Sequence, residues 1–152
     1  MIIEITSEAA MKKFGARLGA MLLGGECIEL VGDVGSGKTT LTKGIAKGLG
    51  VKDTVQSPTF TINRTYENEK GIRLCHYDFY RLSDPGIMAD ELHESLQDSK
   101  TVVIIEWGDV VESVVPDGRL RINFVSPTAD VRQLSIRGTG EQAVRLMKGL
   151  TL

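Results

Sequence analysis

Gly32-Asp33-Val34-Gly35-Ser36-Gly37-Lys38-Thr39 places glycines ahead of a lysine and a hydroxyl at the spacing G-x-x-x-x-G-K-[ST]. Glycine backbone can wrap closely around an anion and turn several N–H groups inward, and a helix starting at the lysine would aim its positive dipole end at the same point. Phosphate is the anion this arrangement suits. Lys38 would reach the β- and γ-phosphates of a nucleotide, the Thr39 hydroxyl would ligate Mg²⁺, and Thr40 would follow on the same first helical turn. The predicted chemistry is the binding of ATP with Mg²⁺ by Gly32, Asp33, Val34, Gly35, Ser36, Gly37, Lys38, Thr39 and Thr40.

Phosphate loops commonly work with a carboxylate at the end of a neighbouring buried strand, where it holds the metal or its water. Glu106 fills that description, ending the run Thr101-Val102-Val103-Ile104-Ile105 with Trp107 beside it. Asp78 is a second candidate. Alternation over Ile72 to Tyr80 puts Ile72, Leu74, His76 and Asp78 on one face, which becomes polar towards Asp78. Gln56-Ser57-Pro58-Thr59 sets hydroxyls beside a rigid proline, as suits a loop closing over a γ-phosphate or a plain turn leading into a strand.

The elements that must position these residues are legible in outline. Ile2 to Ile5 reads as a short strand, with Thr6 or Ser7 offering an N-cap oxygen and Glu8 a charge near the helix start. Met11, Phe14, Leu18, Met21 and Leu22 then share one helical face closed by Gly24-Gly25. Cys27 to Val31 reads as a strand and Lys38 to Leu49 as a helix stopped by Gly50, which gives the phosphate loop its proper flanks. Thr59 to Glu67 and Ile72 to Tyr80 predict a hairpin about Asn68-Glu69-Lys70-Gly71. Asp84-Pro85 predicts a helix with Asp84 as N-cap, Pro85 in first position and Ile87, Leu92 and Leu96 inward. The β-branched run Thr101 to Ile105 predicts a strand buried on both faces. After it come a short helix-like Val110 to Val115, the turn Pro116-Asp117-Gly118, strands Leu120 to Val125 and Val131 to Arg137, and a helix from Glu141 to Leu150. The sum is an α/β, P-loop NTPase-like three-layer domain with a mixed parallel/antiparallel sheet, residues 1–152 forming one domain.

Composition narrows the function classes. With 18 Lys+Arg against 20 Asp+Glu the formal net charge is −2, so no global positive field awaits a nucleic acid, and an RNA contact would be local or made by a partner. No apolar run approaches the length of a membrane span and the N-terminus lacks a basic signal start, so the expected compartment is the cytoplasm. Cys27 and Cys75 sit in apolar strand-like runs outside any metal spacing and read as buried, reduced thiols. His76 and His93 have no third ligand at zinc spacing. The 17 glycines are expected at turns and in the phosphate loop.

Four motifs in order give the chain a family resemblance: Gly32 to Leu41, Ser57-Pro58-Thr59-Phe60-Thr61, His76-Tyr77-Asp78-Phe79-Tyr80-Arg81-Leu82, and Ile105-Glu106-Trp107. Together they resemble the small bacterial ATPases of the TsaE (formerly YjeE) family, required to make threonylcarbamoyladenosine in tRNA, and the likeness spans most of the chain. The resemblance implies that Thr39 and Glu106 bind Mg²⁺, that Lys38 grips phosphate, that Asp78 belongs to the hydrolytic centre and that Ser57-Pro58-Thr59 acts as a switch segment. It implies adenine contacts near the N-terminus and the late strands, at Thr6 and Arg132. It also implies partnership with the threonylcarbamoyl-transferase subunit, TsaD, and its non-catalytic paralogue, TsaB, with tRNA met only indirectly. The text Ala89-Asp90-Glu91-Leu92-His93-Glu94 departs from the usual glycine-then-acid pattern before the second nucleotide motif.

Two rival readings fit a phosphate loop. A small-molecule kinase generally needs an arginine-bearing lid, and only Arg64, Arg73 and Arg81 lie between Thr40 and Ile105. A guanine-nucleotide switch would carry an Asn-Lys-x-Asp segment, which the chain lacks. The reading preferred is an ATPase subunit coupling hydrolysis to turnover of the transferase complex.

Overall fold

Seven strands form one sheet in the order β1-β7-β6-β2-β5-β4-β3 in the computed structural model, which describes residues 1–58 and 61–151. They are β1 (Ile2–Ile5), β2 (Cys27–Val31), β3 (Asn63–Glu67), β4 (Arg73–Asp78), β5 (Thr101–Glu106), β6 (Leu120–Val125) and β7 (Arg132–Gly138). The helices are α1 (Glu8–Ala20), α2 (Lys38–Leu49), α3 (Ile87–Gln97) and α4 (Glu141–Thr151). β6, β2, β5 and β4 run parallel, and β3, β7 and β1 join antiparallel at the flanks, giving the expected mixed sheet.

Side-chain alternation divides the core in two. Ile28, Leu30, Leu74, Val102, Ile104 and Ile122 face a layer built by α1, α2 and α4, whereas Cys27, Cys75, Tyr77, Val103 and Ile105 face α3 and the segment 107–115. A strand buried on both faces reads as a near-continuous apolar run, and β5, with Val102 to Ile105 at its centre, is buried at all six positions. Both cysteines are free and buried, and burial pushes the Cys27 thiol up to about 12. No helix among the described residues is long and apolar enough to cross a membrane.

α1 starts where Ser7 caps it, its Oγ accepting from Ala10 N at 3.0 Å. Met11, Phe14 and Leu18 are buried as the spacing predicts. Against the expectation that the glycines lie at turns and in the phosphate loop, Gly15, Gly19, Gly44 and Gly48 stand inside α1 and α2. There they let the two backbones touch: a Cβ on Gly15 would lie 2.6 Å from the Leu41 carbonyl oxygen, and one on Gly19 would overlap the Ile45 carbonyl.

At three of the boundaries that differ from expectation a local polar contact wins. α3 begins at Ile87 behind Gly86, not at Pro85, since Asp84 Oδ1 accepts from Gly86 N at 2.9 Å and turns the chain first. This leaves Ile87 exposed while Leu92 is buried and Leu96 partly so. β3 begins at Asn63, because Thr61 N and Ile62 N both donate to the Pro58 carbonyl in a turn. β4 stops at Asp78, whose Oδ1 accepts from Tyr80 N at 2.9 Å. Downstream, the helical piece is a short 3₁₀ turn at Gly108–Val111 instead of a helix over Val110 to Val115, and β7 begins at Arg132 instead of Val131.

Candidate functional site

The phosphate loop leaves the C-terminal end of β2, a central parallel strand with β5 on one side and β6 on the other, and enters α2 at Lys38. This is where open α/β sheets bind ligands. Gly35 and Gly37 take φ of 80° and 107°, a region closed to most side chains, so the loop can curl back on itself. Ser36 is buried, and its Oγ has no hydrogen-bond partner among the described residues.

Lys38 is only 6% exposed. Its ammonium donates to the carbonyls of Gly32 and Asp33, the latter at 3.0 Å, and lies 4.8 Å from the centroid of the Trp107 ring. Burial pulls the lysine below its ordinary pKa, while Glu106, Asp78 and Asp33 pull the other way. Asp78 and Glu106 are paired in register at the ends of β4 and β5, 6% and 3% exposed. Both point to the α2 side of the sheet, by parity with Leu74 and Ile104. Phe79 N donates to the Glu106 carbonyl at 3.0 Å, which locks the two strand ends together.

Trp107 takes left-handed backbone, φ 56° and ψ 49°, a conformation that costs a non-glycine residue energy and clusters at functional positions. The bend carries its ring under Lys38 and against Tyr80, centroids 4.9 Å apart. His76 is the residue that sequence reasoning left outside the site. Its Nε2 donates to Glu106 Oε2 at 2.6 Å, in full burial, and so fixes the carboxylate's orientation. The signal was available in the alternation that put His76 on the face of Asp78.

Two cavities adjoin across the loop, both lined by Gly35, Gly37 and Thr40. One, of about 390 Å³, brings together Val34, Lys38, Thr39, Ser57, Asp78, Tyr80, Arg81, Glu106 and Trp107. The other, of about 320 Å³, holds Thr6 and Arg132 with Ser7, Met11 and Asp130. Arg132 is steadied by its Nη1 donating to the Ala129 carbonyl at 2.9 Å. Asp130, in the loop before β7, had no local signal. Gly32 and Asp33 line a smaller hollow on the loop's other flank, also bordered by Trp107. Thr59 lies outside the described residues.

The donor set suits a magnesium nucleotide. The Thr39 hydroxyl and the Glu106 carboxylate, the two oxygen donors expected for the metal, line the same cavity as Lys38 and the phosphate loop. No cluster of three His, Cys, Asp or Glu exists among the described residues, and Mg²⁺ commonly takes one or two protein oxygens plus substrate phosphates and water.

A mixed sheet between helical layers, with a phosphate loop running from a central strand into α2, defines a P-loop α/β protein. The crystal structure of Bacillus subtilis YdiB superposes with a TM-score of 0.81 at 30% identity, over 99% of this chain and 93% of that one. The family described as "Threonylcarbamoyl adenosine biosynthesis protein TsaE" matches residues 5–134. Relatives named tRNA threonylcarbamoyladenosine biosynthesis protein TsaE include one from Streptomyces coelicolor, 39% identical over 87% of this chain and 93% of its own. Another, from Bacillus subtilis, is 36% identical over 84% of this chain and 78% of its own. The chain belongs to the TsaE family, whose role lies in the biosynthesis of threonylcarbamoyladenosine in tRNA.

Proposed function

We propose that this chain binds ATP with Mg²⁺ across the two adjoining cavities and hydrolyses it, as the subunit that couples hydrolysis to turnover of the threonylcarbamoyl-transferase complex. The observation that carries the reading is Lys38 held between the phosphate loop and two buried carboxylates, Asp78 and Glu106, at the ends of parallel strands. Thr6 and Arg132 border the cavity for the adenosine half, and Lys38, Thr39 and Glu106 border the one for the γ-phosphate end. Mg²⁺ held through Thr39 and Glu106 would supply charge neutralisation for the phosphate oxygens.

Each protein group has a defined task. Loop N–H groups and the start of α2 receive the phosphates. Lys38 leaves the carbonyls of Gly32 and Asp33 for the phosphate oxygens, regaining a full counter-charge for its buried ammonium. His76 holds Glu106 in place. Asp78 orients the attacking water, whose oxygen bonds to the γ-phosphorus as the bond to the bridging oxygen breaks and ADP departs. Trp107 and Tyr80 exclude solvent on one side. Arg81 and Ser57 border the same cavity, where they can approach the transferred group once a partner presses the mouth closed. The partners are the transferase subunit, TsaD, and its paralogue, TsaB.

Calorimetry tests the binding half. Lys38→Ala removes a charge-assisted contact worth about 1.5–3 kcal/mol, so ATP affinity falls on the order of tenfold to a hundredfold. Unchanged affinity would reject the assignment.

A further inference from the structure

α1 and α2 leave a groove on their outer surface, about 400 Å³ in volume, into which both helices project lysines: Lys12 and Lys13 from one, Lys43 and Lys47 from the other. All four are exposed. The floor includes Ala16 and Gly44, small because the helices pack backbone to backbone, so a chain laid in the groove could come close to the ammonium groups on both walls. Lys43 and Lys47 are one helical turn apart, about 6 Å along the axis, comparable to the separation of successive phosphates along a nucleotide chain.

The charge is local and sided. Within α1 and α2 six basic residues stand against one acidic residue, Glu8, although the whole chain has net charge −2. Glu8 pairs with Lys12 at 2.9 Å, but the pair is solvent-exposed and worth little. On the other face of the sheet α3 carries Asp90, Glu91 and Glu94 and no lysine or arginine. None of the four lysines lines the nucleotide cavities.

We propose that this groove binds the sugar-phosphate backbone of RNA, giving the chain a direct contact with the nucleic acid its family serves. The choice of RNA over an acidic protein surface rests on the family's role in tRNA modification and on the groove's chemistry. Its charges are flexible, strongly hydrated lysines with no arginine among them, and it has no aromatic anchor of the kind that dominates protein interfaces. Backbone contacts of this sort position a nucleic acid without reading sequence.

The test is fluorescence anisotropy of a labelled tRNA transcript titrated with the full chain over a series of salt concentrations. Four phosphate contacts predict that log K falls with log salt at a slope of about −3. The combined variant Lys12→Ala, Lys13→Ala, Lys43→Ala and Lys47→Ala should bind at least tenfold more weakly and lose most of that slope, and Lys43→Ala with Lys47→Ala should lose about half. ATP affinity by calorimetry should be the same in all, showing an intact fold. No tRNA binding by the parent at low salt, or equal binding by the combined variant, overturns the inference. So does a combined variant that keeps tRNA but loses association with the transferase subunits, since the face would then be a protein-docking surface. The readout is RNA binding itself, so this inference and the coupling of ATP hydrolysis to modification fail or stand separately.

Discussion

A buried lysine needs acceptors, and Lys38 takes two from the loop that it will serve. Its ammonium is thus pre-positioned, and its charge is held by the carboxylates opposite against the pull of burial. Those carboxylates are not part of the packing, since each ends a strand and faces a cavity. Glu106→Gln and Asp78→Asn, which keep shape and remove charge, should therefore leave circular dichroism and the unfolding midpoint close to the parent while lowering ATP hydrolysis by at least a hundredfold in the assembled complex. Parental hydrolysis by either variant in that assembly would show the carboxylate to be a bystander. The site residues at the phosphate end were legible because a phosphate loop is local in sequence. His76 was less so, because its importance lies in a bond to Glu106 thirty residues away.

Backbone contact between α1 and α2 sets how the phosphate loop is presented, since α2 is the helix that the loop enters. Glycine inside a helix costs about 1 kcal/mol relative to alanine, so four such residues would be a weakness if nothing required them. Gly19→Ala discriminates by sign. If the glycine is merely tolerated the change stabilises, whereas the overlap of its Cβ with the Ile45 carbonyl predicts a loss of about 2–3 kcal/mol in urea unfolding. At this scale most strands and helices could be read from periodicity, because β5 carries an unbroken apolar run from Val102 to Ile105 and α1 repeats its apolar residues every third or fourth position. Two of the failures occur where a side chain competes with the regular ladder. Asp84 and Asp78 each accept a bond from the backbone two residues on, ending or delaying an element that apolar pattern alone would extend. The left-handed turn at Trp107 had no signature in residue type, and neither did the helix-packing use of glycines otherwise suited to turns.

The whole molecule is polarised, with basic α1 and α2 on one side of the sheet, acidic α3 on the other, and the two adjoining cavities at the strand ends between them. The mouth of the cavity holding Lys38, Asp78 and Glu106 is lined by exposed apolar groups, Val34 at 71% and Tyr80 at 49%. On the proposed reading, a cavity walled by Trp107 and Tyr80 on one side only stays open to water until a partner covers that mouth, so the chain alone should hydrolyse ATP slowly and closure by a partner should change both rate and consequence. The decisive measurement is multiple-turnover formation of threonylcarbamoyladenosine on tRNA by the transferase subunit and its paralogue, with phosphate release followed in the same reaction. The account predicts sustained rounds and faster phosphate release when this chain is added, and a stall near one round when it is omitted or replaced by Glu106→Gln. Rapid hydrolysis by the isolated chain that partners leave unchanged, together with full modification in its absence, would contradict it.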